Sequence, residues 1–172
     1  MLCCIIDRIE GEWIMGSERI IIINNIEETE QLAALLSNRL EPGYTILLTG
    51  DLGAGKTTLT QNVGKYLGVK RHMTSPTFNI IKSYHSPVKG CTVHHMDCYR
   101  LEDSDDDLGF DEYFNDESIN IVEWPQFIEE YWPDEHLDIN IEYVDETRRK
   151  VTLSATPSMS HIVEELYEKF TD

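Results

Sequence analysis

At 172 residues, with 41% apolar and 9% aromatic side chains, the chain is long enough to bury one core but leaves little room for a separate substrate domain. Its 32 acidic residues outnumber 14 lysines and arginines, and the formal net charge of -18 disfavours direct, tight binding of nucleic acid. Four cysteines (Cys3, Cys4, Cys91, Cys98) are too few and too uneven for a secreted disulfide scaffold, and no apolar run approaches the roughly eighteen residues of a membrane span. A cytoplasmic protein without membrane attachment is the expectation.

Residues 1–14 join no periodic pattern and carry no convincing signal peptide, so they are expected to be an extension outside a single domain over 15–172. The β-branched run Arg19–Ile23 predicts a buried strand. Residues 26–40 then place Leu32, Leu35, Leu36 and Leu40 at helical spacing, with acids in the first turn and Arg39 in the last. Pro42-Gly43 ends that helix, Tyr44–Thr49 reads as a second buried strand, and 59–69 continues as a helix. Residues 78–86 and 91–99 read as a hairpin, the acidic stretch 101–117 as short solvated helices, and 119–124 as another apolar strand. A second hairpin over 136–156 and an amphipathic helix over 161–170 complete an α/β pattern with a mixed parallel and antiparallel sheet.

Gly50–Thr57 satisfies G-x-x-x-x-G-K-[ST], with an apolar strand before it and a helical pattern after it. In that context glycines let successive backbone N–H groups face a phosphate, and the helix offers its positive end to the same anion. Leu52, Gly53, Ala54, Gly55, Lys56, Thr57 and Thr58 are the candidate nucleotide-binding residues. Lys56 would reach the β- and γ-phosphates, and the Thr57 hydroxyl would complete a magnesium shell. ATP and Mg2+ are the expected ligands. Because the site is built of amides and one lysine, it can hold a polyanion inside an acidic protein.

Such chemistry needs a carboxylate at the end of a neighbouring strand. Two candidates stand at strand ends: Asp97, after CTVHHM, and Glu123, before Trp124-Pro125. Alternation puts Val93, His95 and Asp97 on one face of their strand and Thr92, His94 and Met96 on the other. A solvated strand-end acid is the plain alternative for either.

GDLGAGKTTL, then TSPTF (74–78), HHMDCYRL (94–101), GFDEYFND and IVEWP (121–125) together resemble the bacterial TsaE family, over roughly residues 19–150. The resemblance implies a P-loop NTPase-like three-layer fold and an ATPase needed to make N6-threonylcarbamoyladenosine at position 37 of tRNAs reading codons that start with A. It also implies action with TsaB and TsaD and slow hydrolysis without them. Carried onto this sequence, it implies Thr57 and Glu123 as magnesium ligands, Asp97 as a further essential acid and Trp124 as the aromatic beside the metal-binding acid. Thr74, Ser75 and Thr77 fall in a switch-like loop near the γ-phosphate, and Ile26, Glu27, Thr29, Thr147 and Arg148 become adenine-side candidates. Whether Asp97 orients water or supports the metal stays open. Arg100 is the nearest arginine that could act in cis.

Other patterns carry less. Alternation separates the members of C-x2-H-H-x2-C (91–98), which argues against zinc, and the run 103–107 lacks the glycine and glutamate of a calcium loop. Asp106–Gly109 matches the GTPase D-x-x-G but lies outside a buried strand end, and no N-K-x-D guanine motif accompanies it. A small-molecule kinase is the alternative enzyme, disfavoured by seven arginines with no clustered lid.

Overall fold

The computed structural model describes residues 16–76, 78–102, 104 and 108–172. The extension expected at 1–14, the switch-loop candidate Thr77 and Asp103, Asp105, Asp106 and Asp107 of the acidic run lie outside the described residues. Among the described residues, seven strands form one sheet: β1 (Ser17–Ile23), β2 (Thr45–Thr49), β3 (Ile81–Ser86), β4 (Cys91–Asp97), β5 (Ser118–Glu123), β6 (Leu137–Tyr143) and β7 (Arg149–Ala155). Their order is β1-β7-β6-β2-β5-β4-β3. β2 runs parallel to β5 and β6, and β4 parallel to β5, while β1-β7, β6-β7 and β3-β4 are antiparallel. The sheet is therefore mixed, with its parallel strands in the middle.

Helices α1 (Ile26–Arg39), α2 (Lys56–Tyr66) and α3 (Ser160–Thr171) pack on one face. Leu32, Leu36, Leu59, Val63, Ile162 and Leu166 meet the inward side chains of the strands there. The opposite face carries a smaller core, in which Leu47, Met96 and Val122 lie under Leu101, Phe110 and Ile128. That third layer consists of 3-10 segments at Tyr99–Leu101, Phe110–Glu112 and Pro125–Tyr131. The acidic stretch is thus only partly solvated, because Leu101 and Phe110 anchor it to the sheet. The segment after Pro125 has no counterpart in the sequence reading, where the proline marked only a strand end.

The third layer covers the β2-β5-β4 half of the sheet, and this corrects the reading of 19–23 as wholly buried. Ile21 and Ile23 face the helices, whereas Ile20 and Ile22 are 48% and 45% exposed on the uncovered side of the edge strand. In the centre, β2 and β5 are covered on both faces, so nearly every position along them is buried, polar Asn120 included. α1 begins as its acids suggest. Asn25 accepts from the Glu28 amide at 2.9 Å, and the Glu28 carboxylate accepts from the Asn24 amide at 2.8 Å, so two terminal donors are satisfied. Among the described residues no helix is long and apolar enough to cross a membrane.

Just before β6, the imidazole of His136 is fully buried with Nε2 3.2 Å from Asp138 Oδ2. Burial opposes its charging, but the Asp138 carboxylate beside it outweighs that, so its pKa is raised above 6.5. The stabilisation this supplies is complete below the ordinary value near 6.5 and is lost as pH rises through the higher folded-state value. Asp138→Asn is expected to destabilise the protein by about 1 kcal/mol more at pH 6 than at pH 8 in paired thermal melts; equal losses at both pH values would contradict the linkage.

Candidate nucleotide and metal site

β2 delivers the chain to the glycine-rich loop between two parallel neighbours. At Gly50 the backbone runs so close to β6 that an added Cβ would sit 2.3 Å from the Ile141 carbonyl oxygen, so no side chain fits. At Gly55, the residue before α2, φ is +115°, and α2 starts with no side-chain cap on its first amides. Those amides are left for a ligand. Lys56, 4% exposed, donates from Nζ to the carbonyls of Gly50 at 2.6 Å and Asp51 at 2.8 Å. The Trp124 ring lies over the same ammonium at 4.3 Å. Burial lowers the Lys56 pKa, while Glu123, Asp97 and Asp51 oppose the shift.

The parallel register of β4 and β5 places Asp97 opposite Glu123. Glu123 is 2% exposed. Its Oε2 accepts from the Thr57 hydroxyl at 3.1 Å, and its Oε1 from Thr60 at 3.4 Å and from His95 Nε2 at 2.8 Å. Asp97 accepts from the Ser75 hydroxyl at 3.0 Å and the Tyr99 amide at 3.2 Å. After Glu123 the chain turns sharply through Trp124, the one non-glycine residue with positive φ among those described (+56°). That turn swings the indole over Lys56 and against Tyr99, 4.9 Å away.

A cavity of about 260 Å³ gathers Leu52, Gly53, Gly55, Lys56, Thr57 and Thr58 with Ser75, Asp97, Glu123 and Trp124. Beyond the loop a cavity of about 340 Å³ is walled by Ile26, Glu27 and Thr29 of α1, by Ala54, Gly55 and Thr58, and by Thr147 and Arg149 of the second hairpin. The two cavities share Gly55 and Thr58. A predominantly aliphatic wall of Ile23, Ile26, Leu32, Ile141 and Val151 suits a flat base, and the loop side suits phosphates. Hard oxygen donors from Thr57 and Glu123 suit a magnesium ion, so the residues present fit both ligands.

Three sequence expectations change. Arg148 does not line the larger cavity: its Nε pairs with Asp145 at 2.7 Å in the hairpin turn, and the next residue faces inward instead. Arg149 Nε donates to the Ala54 carbonyl at 2.8 Å, tying β7 to the loop. Thr74 stands outside the smaller cavity, where its hydroxyl accepts from Lys82 at 2.7 Å, so Ser75 is the switch-loop hydroxyl that reaches Asp97. Arg100 lies over the exposed Phe78 ring at 5.5 Å instead of in the cavity. His95, Thr60 and Arg149 were not singled out as site residues. His95 could have been found from its position two residues before Asp97 on the same strand face, and Thr60 from its place one helical turn after Lys56 and Thr57. Arg149 has no local signal.

A parallel strand running into a glycine loop and a Lys-Thr helix, faced by the acids that end β5 and, one strand further out, β4, defines an α/β protein of the P-loop NTPase-like class. The family model described as "Threonylcarbamoyl adenosine biosynthesis protein TsaE" matches residues 23–151, and the chain belongs to the TsaE family. It is 45% identical over 131 residues to the tRNA threonylcarbamoyladenosine biosynthesis protein TsaE of Bacillus subtilis, covering 76% of this chain and 82% of that relative. The protein of the same name from Rickettsia felis is 35% identical over 147 residues, 84% of each chain. The crystal structure of Bacillus subtilis YdiB superposes with a TM-score of 0.74 at 35% identity, covering 89% of this chain and 96% of that one.

Space at Gly55 is open, so the cost of a side chain there is conformational. Gly55→Ala is expected to lower stability by about 1–2 kcal/mol in urea unfolding and to weaken ADP binding in calorimetry, because the loop would relax away from the left-handed turn.

Proposed function

We propose that this protein is an ATP- and magnesium-dependent hydrolase that serves as an accessory protein in making N6-threonylcarbamoyladenosine at position 37 of tRNAs that read codons starting with A, with TsaB and TsaD as its partners. The observation that carries the reading is the convergence of the loop, Thr57, Ser75, Asp97 and Glu123 on one cavity. Membership of the TsaE family, and relatives named for tRNA threonylcarbamoyladenosine biosynthesis, support the pathway. The charge of -18 agrees with docking on proteins instead of on RNA. A cytoplasmic setting is supported by the free, buried thiols of Cys91 and Cys98.

In this mechanism the loop amides and Lys56 hold the phosphates, and Lys56 exchanges its two carbonyl partners for phosphate oxygens. Thr57 and Glu123 would hold magnesium, which when bound would neutralise charge on the phosphoryl oxygens. Asp97 orients the attacking water or supports the metal, and the Ser75 hydroxyl on its Oδ2 links that role to the switch-like loop. Trp124 fixes the ammonium's approach from above, and Glu27, Thr29 and Arg149 flank the base. With Arg100 held over Phe78, no arginine among the described residues lines the phosphate cavity, which accords with slow turnover of the isolated chain.

Lys56→Ala and Glu123→Ala are each expected to reduce ATP hydrolysis by about 100-fold or more in the presence of TsaB and TsaD, and to abolish the modified nucleoside in a reconstituted system. Full hydrolysis by wild type without partners, or a modification yield indifferent to Lys56→Ala, would sink the proposal. A burst of ADP that depends on one small alcohol or nucleotide would point to a kinase instead.

A further inference from the structure

On the helical face of the sheet the strand positions around His95 are filled by Cys91, Val93, Ile119 and Ile121. An imidazole with 0% exposure in that setting is costly unless its polar atoms are bonded. Its Nε2 has a partner, Glu123 Oε1 at 2.8 Å, whereas its buried Nδ1 has none among the described residues. A carboxylate oxygen accepts in such a contact, so Nε2 is the donor. Thr60 adds a second, longer contact to the same Oε1 at 3.4 Å. Oε1 is thereby occupied by donors from β4 and α2. Oε2 faces only the Thr57 hydroxyl among the described residues, at the edge of the phosphate cavity.

We propose that His95 is a positioning residue for the metal: through Nε2–H it holds Oε1 of Glu123 and thereby aims Oε2 at the site shared with Thr57. The inference rests on the reading of Glu123 as a magnesium ligand and adds the group that orients it. Without His95 the carboxylate would be held by two threonine hydroxyls, of which only the longer contact, from Thr60, lies on Oε1. A histidine that merely fills the core would leave the metal indifferent to its hydrogen bond, so the two roles are separable.

The test is Mn2+ binding, read by electron paramagnetic resonance as a spectroscopic substitute for Mg2+, in the full chain saturated with ADP. His95→Ala is expected to raise the Mn2+ Kd by about 10- to 100-fold, and His95→Gln, whose amide can donate toward the same oxygen, to restore it to within about threefold of wild type. ADP affinity measured in EDTA should be unchanged by either substitution. Wild-type Mn2+ affinity in His95→Ala, or a loss in His95→Gln as large as in His95→Ala, overturns the proposal. Glu123→Gln distinguishes the two levels: if it binds Mn2+ like wild type, the ligand reading of Glu123 falls and this inference with it, whereas failure of the His95 series alone leaves that reading standing. Should His95→Ala not fold, nitrogen-15 spectra of histidine-labelled wild type decide the matter, with a proton expected on Nε2 and its absence there overturning the assignment.

Discussion

A carboxylate withdrawn from water must find donors inside the protein, and Glu123 finds them on a helix and a neighbouring strand at once. Thr57 and Thr60 come from the first turns of α2, and His95 comes from the middle of β4. Because a buried, unpaired charge costs several kcal/mol, these contacts constrain where α2 can start relative to the sheet. The position of α2 in turn determines where its uncapped amides point. Loop and acid are therefore held by one set of contacts, and the cavity between them follows from that arrangement.

Electrostatics inside the cavity runs against the net charge of the chain. Burial lowers the Lys56 pKa, while the carboxylates of Glu123, Asp97 and Asp51 oppose that shift and the loop carbonyls and the Trp124 face also favour its cation. One ammonium faces two carboxyl groups there, a setting in which the proposed magnesium would offset charge that a polyphosphate brings. The backbone amides at the start of α2 supply the remaining attraction without adding charge. An acidic exterior and a phosphate site are thus compatible, since dipoles fixed at a few ångströms act locally while surface charges are screened within about 10 Å at ordinary ionic strength.

The hairpin and the switch-like loop show where local reading stops. The period-two pattern in 136–156 made the hairpin legible, yet whether Arg148 or Arg149 faces the larger cavity depends on the register with which β7 pairs with β6 and β1. A shift of one residue reverses the face, and nothing in the local sequence fixes that register. Thr74 and Ser75 are chemically near-equivalent in the sequence. Lys82 on β3 takes one and Asp97 on β4 takes the other, a choice made by two strands that lie beyond the loop.

From sequence alone came the strand-loop-helix of the phosphate site, the two strand-end acids and the family resemblance, because glycine spacing, a Lys-Thr pair and apolar runs act over a few residues and need no distant partner. Tertiary structure alone decided that β5 lies between β2 and β4, and with it that Glu123 and Asp97 reach the same cavity. It also decided that His95 spends its one hydrogen-bonded nitrogen on Glu123 and that Ile20 and Ile22 remain uncovered. Strand order and layer coverage are set by how the whole apolar surface can be buried at once, a global condition that no short window of sequence contains.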